Sequence, residues 1–147
     1  MKIYNSLSRQ LEDFVPLNPD QVSLYCCGPT VYDYIHIGNA RTFLVTDIIR
    51  RYLEYRGHTV KLVQNLTDID DKIINRATEL GISSTQLAEE YGDAFLEDSR
   101  RLGTEADVHP KATEHIPEMI ALIETLLEKG LAYVVEGSVY YRVNRFP

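Results

Sequence analysis

His36 and Asn39 bracket the run His36-Ile37-Gly38-Asn39, and this is where the sequence first offers chemistry. Side chains three apart at a helix start lie on one side of the first turn, so both can reach one ligand. That turn also presents unpaired N–H groups and the positive end of the helix dipole, which suits phosphate oxygens. Gly38 has no side chain, so a flat ring or a ribose can approach the backbone there. His36, Gly38 and Asn39 are therefore candidates for binding a nucleotide triphosphate at this helix start. A single His ahead of a helix is as readily structural, so the surrounding stretches decide.

Just upstream, Cys26 and Cys27 are adjacent. Neighbours on a strand point to opposite faces, so the two sulfurs diverge and a structural disulfide between them is disfavoured. A reduced, intracellular protein is expected, with one thiol in the core and the other, Cys27, facing the loop and the site. Further on, Asp68, Asp70 and Asp71 cluster at the end of a strand. They could bind Mg²⁺ or cap the following helix, and capping is the preferred reading. His58, His109 and His115 have no metal-ligand spacing with one another.

The elements that position these residues follow from hydrophobic period. Lys2 to Asn5 is a short candidate strand followed by a polar connector containing Pro16 and Pro19. Gln21 to Cys27 is a short bounded apolar run, a strand ended by Gly28-Pro29. Helical spacing over Ile37–Tyr55 places Val45, Ile48, Ile49, Tyr52 and Leu53 on an apolar face, with Gly57 as the stop. Thr59 to Leu66 is β-branched and alternating, the next strand. Strand–helix–strand of this length is a parallel βαβ unit, whose ligands bind beyond the carboxyl ends of the strands. Both the Cys27–Asn39 and the Thr67–Asp71 stretches fall there. Helices are expected at Lys72–Leu80, from a Ser84 cap to Leu102, and from Thr113 or His115 to Gly130. A hairpin, Leu131–Glu136 with Ser138–Val143, closes the chain.

Cys27-Gly28-Pro29-Thr30-Val31-Tyr32-Asp33 with His36-Ile37-Gly38-Asn39 resembles the signature region of cysteinyl-tRNA synthetases, class I aminoacyl-tRNA synthetases. The resemblance also takes in Ile3 to Leu7, the block Gln64 to Ile74 and the closing hairpin. Asn39 replaces the second His of the usual tetrapeptide, keeping a donor but no proton-transfer role. The resemblance implies an α/β fold: the N-terminal part of a Rossmann-like class I catalytic domain, with a parallel βαβ core, then helices and a β-hairpin of an inserted region. Residues 1–80 would be half of the nucleotide-binding domain and 81–147 the start of a connective insertion.

It further implies ATP-dependent attachment of L-cysteine to its tRNA through cysteinyl adenylate, with ATP arriving with Mg²⁺, His36, Gly38 and Asn39 as ATP-binding residues and His36 and Asn39 as the catalytic pair. Cys27 matches a zinc ligand, and Gly28, Thr30 and Thr67 match substrate-binding positions. The other zinc ligands, the Lys-Met-Ser-Lys-Ser loop and the tRNA-reading helices lie outside this sequence. The chain accordingly reads as the N-terminal part of something longer, inactive alone. The alternatives are a ligase joining cysteine to an amino-sugar and a non-catalytic truncated homologue.

Composition is compatible with all three. The chain has 147 residues, 44% of them hydrophobic, and a net charge of −7. That is enough to bury a core, and the acidic balance argues against a dedicated nucleic-acid surface. Only Arg50, Arg51 and Arg56 form a local basic group. No apolar run approaches a membrane span and no signal-peptide pattern opens the chain, so the expected compartment is the cytoplasm.

Overall fold

The computed structural model describes residues 1–146 and divides into two compact units, Met1–Pro110 and Lys111–Pro147. In the first unit, β1 (Lys2–Asn5) pairs antiparallel with β2 (Gln10–Asp13). Its connection carries Arg9 at φ 57°, and Asn5 and Ser8 both donate to the Glu12 carboxylate. Those two bonds hold that carboxyl below its ordinary range, the Ser8 bond having the larger effect.

β3 (Val22–Cys26) leads into α1 (Ile37–Tyr55), which returns to β4 (Val60–Gln64). The two strands are parallel, in register from Val22 beside Val60 to Cys26 beside Gln64. Residues 107–110 then run alongside β4 as a third strand-like segment. The Gln64 N–H donates to the Val108 carbonyl and the Leu66 N–H to the Pro110 carbonyl, at 2.9 and 2.8 Å. Between them, α2 (Asp71–Leu80) and α3 (Ser84–Leu102) each end on a left-handed glycine, Gly81 and Gly103. The cap of α3 is Ser83 rather than Ser84, its hydroxyl accepting from the Gln86 N–H.

The core joins Cys26, Val31, Phe43, Leu62, Leu66, Ile73, Leu87 and Phe95. Along β3, Val22 and Cys26 are buried while Ser23 and Tyr25 are exposed, so the strand is half-buried rather than the fully buried run its composition suggests.

The inward face of α1 keeps Leu53 from the sequence expectation and differs elsewhere. Val45, Ile48 and Tyr52 point outward, and Ala40, Phe43, Asp47 and Leu53 are buried. The arginines are the reason. Arg51 donates to the buried Asp47 carboxylate and to the Gly103 carbonyl, and Arg50 donates to the Glu105 carbonyl. A paired carboxylate can be buried where an unpaired one could not. The bond from Asp47 also holds the Arg51 guanidinium above its usual pKa.

In the second unit, a 3₁₀ turn (Ala112–His115) precedes α4 (Ile116–Glu128), and β5 (Ala132–Val135) pairs antiparallel with β6 (Ser138–Tyr141). Glu136 and Gly137 both have positive φ, 50° and 83°. Two such residues in a two-residue hairpin loop twist with the strands they join. Among the described residues no helix is long and apolar enough to cross a membrane.

Candidate active site

The carboxyl ends of β3 and β4 are tied to each other by main chain. The Val31 N–H donates to the Thr67 carbonyl and the Thr67 N–H to the Pro29 carbonyl, both at 3.1 Å, making a parallel bridge between Thr30 and Thr67. Gly28 lies closest of all. A Cβ there would stand 1.7 Å from the Asn65 carbonyl oxygen, so only glycine fits this approach. Gly28, Thr30 and Thr67 are thus brought together at one end of the sheet.

Cys27 is exposed at this end and Cys26 is buried; both thiols are free. Cys26 does more than fill space. Its sulfur accepts from the Thr46 hydroxyl at 3.3 Å and from Gln64 Nε2 at 3.7 Å. Among the described residues no three His, Cys, Asp or Glu side chains gather as a metal site.

The loop that leads to His36 is anchored on the helices behind it. Lys72 Nζ sits 5.6 Å from the centre of the Tyr32 ring, and Tyr34 meets Tyr91 edge-on at 5.1 Å. His36 is then the N-cap of α1. Its Nδ1 accepts from the Gly38 N–H at 3.0 Å, and Asn39 Oδ1 accepts from the His36 N–H at 3.2 Å. This reciprocal cap has a chemical consequence. With Nδ1 accepting, the neutral ring carries its proton on Nε2; with Oδ1 turned to the His36 N–H, Asn39 directs its NH₂ away from the cap. Both side chains therefore present donors, the complement of an anionic oxygen.

Gly38 serves the cap as well. A Cβ there would come 2.7 Å from His36 Cε1 and 2.9 Å from Nδ1, so the glycine lets the His36 ring fold over the helix start.

A groove of about 440 Å³ opens beside this helix start, lined by Ile35, His36, Ile37, Ala40, Asp98, Arg101 and Leu102. It includes His36 but not Cys27, Gly28, Thr30 or Thr67. Asp98 and Arg101 gave no signal in the sequence beyond the charged face of a helix. Asp70 caps α2, its carboxylate accepting from the Lys72 N–H at 2.8 Å, as the capping reading expects. Asn65, whose side chain reaches both Gly28 and Thr67, was not singled out from the sequence.

The parallel sheet, the capped helix beyond it and the loops at the strand ends together match known aminoacyl-tRNA synthetase structures. A methionyl-tRNA synthetase from Mycobacterium tuberculosis, bound by methionyl-adenylate, superposes with a TM-score of 0.69 over 88% of this chain and 30% of its own, at 17% identity. The LeuRS of Agrobacterium radiobacter K84, in a ternary complex with tRNA and LeuAMS, gives 0.69 over 82% of this chain and 16% of its own, at 20% identity. The fold is that of a class I synthetase catalytic domain.

Sequence comparison narrows the class. Residues 13–147 match the family model described as tRNA synthetases class I (C) catalytic domain, and the chain belongs to that family. The cysteine--tRNA ligase of Symbiobacterium thermophilum is 59% identical, aligning with all of this chain and 32% of its own length. That of Methanococcus maripaludis strain C6 is 54% identical, over 99% of this chain and 31% of its own. The chain thus spans about a third of the length of these relatives.

Proposed function

We propose that this chain carries part of the cysteine-activating site of a cysteine--tRNA ligase. Two separate groups in the segments that follow β3 and β4 support this reading. One is the reciprocal His36–Asn39 cap, which leaves Nε2–H and an NH₂ for phosphate oxygens. The other is the Gly28–Thr30–Thr67 junction beside the exposed Cys27. The reaction is attack of the cysteine carboxylate on the α-phosphate of ATP, delivered with Mg²⁺. A carboxylate oxygen–phosphorus bond forms, the bond from the α-phosphorus to the bridging oxygen breaks, and pyrophosphate leaves with that oxygen and its electron pair. Catalysis of this kind is positioning and charge stabilisation, and prearranged donors supply both.

Gly28, Thr30 and Thr67 hold the amino acid in this scheme, and the adenylate is then passed to tRNA. Cys27 is one sulfur donor toward Zn²⁺, which with a full ligand set would select a thiol over a hydroxyl. Residues 1–80 are proposed as half of the nucleotide-binding domain and 81–147 as the start of the connective insertion, in a cytoplasmic enzyme.

The test is a chimera in which this chain replaces the matching third of the Symbiobacterium thermophilum relative. Introduced into cells depleted of their own cysteine--tRNA ligase, it should restore growth and charge tRNA with cysteine. Failure to charge tRNA by a folded chimera refutes the proposal. Transfer of cysteine to an amino-sugar instead would establish the related ligase.

A further inference from the structure

Asn65 joins the two residues proposed to hold the amino acid. Its Oδ1 accepts from the Gly28 N–H at 2.9 Å and its Nδ2 donates to Thr67 Oγ1 at 3.2 Å. The direction of these bonds is fixed by chemistry. A main-chain N–H can only donate, so the amide atom facing Gly28 is the oxygen. The atom facing Thr67 is then the NH₂ group, which can only donate. The Thr67 hydroxyl therefore gives one lone pair to Asn65 and keeps its hydrogen free.

The junction leaves Asn65 little freedom to do otherwise. Its main-chain carbonyl oxygen is the atom a Gly28 side chain would strike, and its neighbour Gln64 is buried against Cys26. Thr67 itself is pinned on both sides by main-chain bonds to Pro29 and Val31. Backbone contacts hold Thr67 in place and the Asn65 amide sets the direction of its hydroxyl.

We infer that Asn65 is a positioning residue. It holds the Thr67 hydroxyl as a hydrogen-bond donor toward an acceptor atom of the amino-acid substrate, its carboxylate or its thiolate. The inference rests on the proposed cysteine activation, and it predicts a specific defect. Asn65→Asp keeps an oxygen for the Gly28 N–H but replaces the NH₂ with an acceptor. The Thr67 hydroxyl then turns its hydrogen toward the new carboxylate and away from substrate. Losing a hydrogen bond to a charged group corresponds to roughly a 10- to 100-fold weakening.

The experiment measures ATP–pyrophosphate exchange in the chimera with Asn65→Asp, Thr67→Val and both together. Asn65→Asp should raise the KM for cysteine about tenfold or more and leave the KM for ATP within about twofold. In the Thr67→Val background the same substitution should have little further effect, which separates hydroxyl orientation from simple repulsion by the new charge. A cysteine KM within about twofold of the unmutated chimera, or an equal loss with and without the Thr67 hydroxyl, overturns the inference.

An unmutated chimera without exchange activity refutes the proposed function instead, whatever Asn65 does. In the chain itself, amide exchange by NMR reads the junction independently of activity. The Gly28 N–H and one Asn65 side-chain proton should be protected in the unmutated chain. Asn65→Ala should release Gly28 while the Val31 and Thr67 amides stay slow. Free exchange of Gly28 and the Asn65 amide in the unmutated chain overturns the inference even if Asn65→Asp does not fold.

Discussion

Gly28→Ala is the substitution whose cost the structure makes most explicit. The new methyl carbon would stand 1.7 Å from the Asn65 carbonyl oxygen, 2.9 Å from its carbonyl carbon and 3.3 Å from Gln64 Cγ. Carbon and oxygen settle no closer than about 3.3 Å, so one strand end must move by roughly 1.6 Å. The struck atom is backbone, and the two strand ends are tied by the Thr30–Thr67 bridge and the Gly28–Asn65 bond, so no flexible side chain can yield. Overpacking costs about 1–3 kcal/mol, and losing the Gly28–Asn65 bond adds about 1 kcal/mol. A total near 3 kcal/mol is expected. For a unit of this size that is a fall in Tm on the order of 10–20 °C.

Thermal unfolding of the chain by circular dichroism measures it. The internal control is Gly92→Ala, within α3, where an added Cβ meets nothing within 4 Å. That change should stabilise by about 0.5–1 kcal/mol. A Gly28→Ala chain melting within about 2 °C of the unmutated one would refute the close approach of the strand ends.

In the chimera, His36→Ala should slow ATP–pyrophosphate exchange by about 10²–10³ with little change in the KM for cysteine, since its donor is proposed to face phosphate; near-normal exchange would remove it from the mechanism. Cys27→Ser should lower the zinc content of the chimera, read by elemental analysis, while Cys26→Val should leave zinc unchanged. Because Cys26→Val strands the Gln64 amide, it should still destabilise the fold by about 1–3 kcal/mol in a denaturant titration; zinc loss from Cys26→Val alone would reverse the assignment. Asp70→Ala, which removes the cap of α2, should cost about 1 kcal/mol by the same titration.

Much of this fold could be read from the sequence because the local signals were strong and agreed. α1 occupies Ile37–Tyr55 as its period predicts, and the parallel pair β3 and β4 falls within its expected bounds. The errors came where side-chain partners outweighed pattern. β2, Gln10–Asp13, is exposed at every position, so it has no alternation to read and depends on bonds to Glu12. On α1 the expected apolar face holds at Leu53 but not at Val45, Ile48 or Tyr52, and a buried Asp47 is legible only once Arg51 is seen to reach it. Residue types and motif resemblance nominated Cys27, Gly28, Thr30, His36, Gly38, Asn39 and Thr67. They could not show that Gly38 makes room for the His36 ring, nor that Asn65 bridges Gly28 and Thr67. Those facts depend on the direction of side-chain bonds, which spacing does not encode.

The most direct test of cysteine activation at these strand ends is ATP–pyrophosphate exchange by the unmutated chimera, with each amino acid supplied in turn. Exchange stimulated by cysteine, and not by serine or methionine, is the expected result. Exchange that ignores cysteine, or that another amino acid drives better, would contradict it.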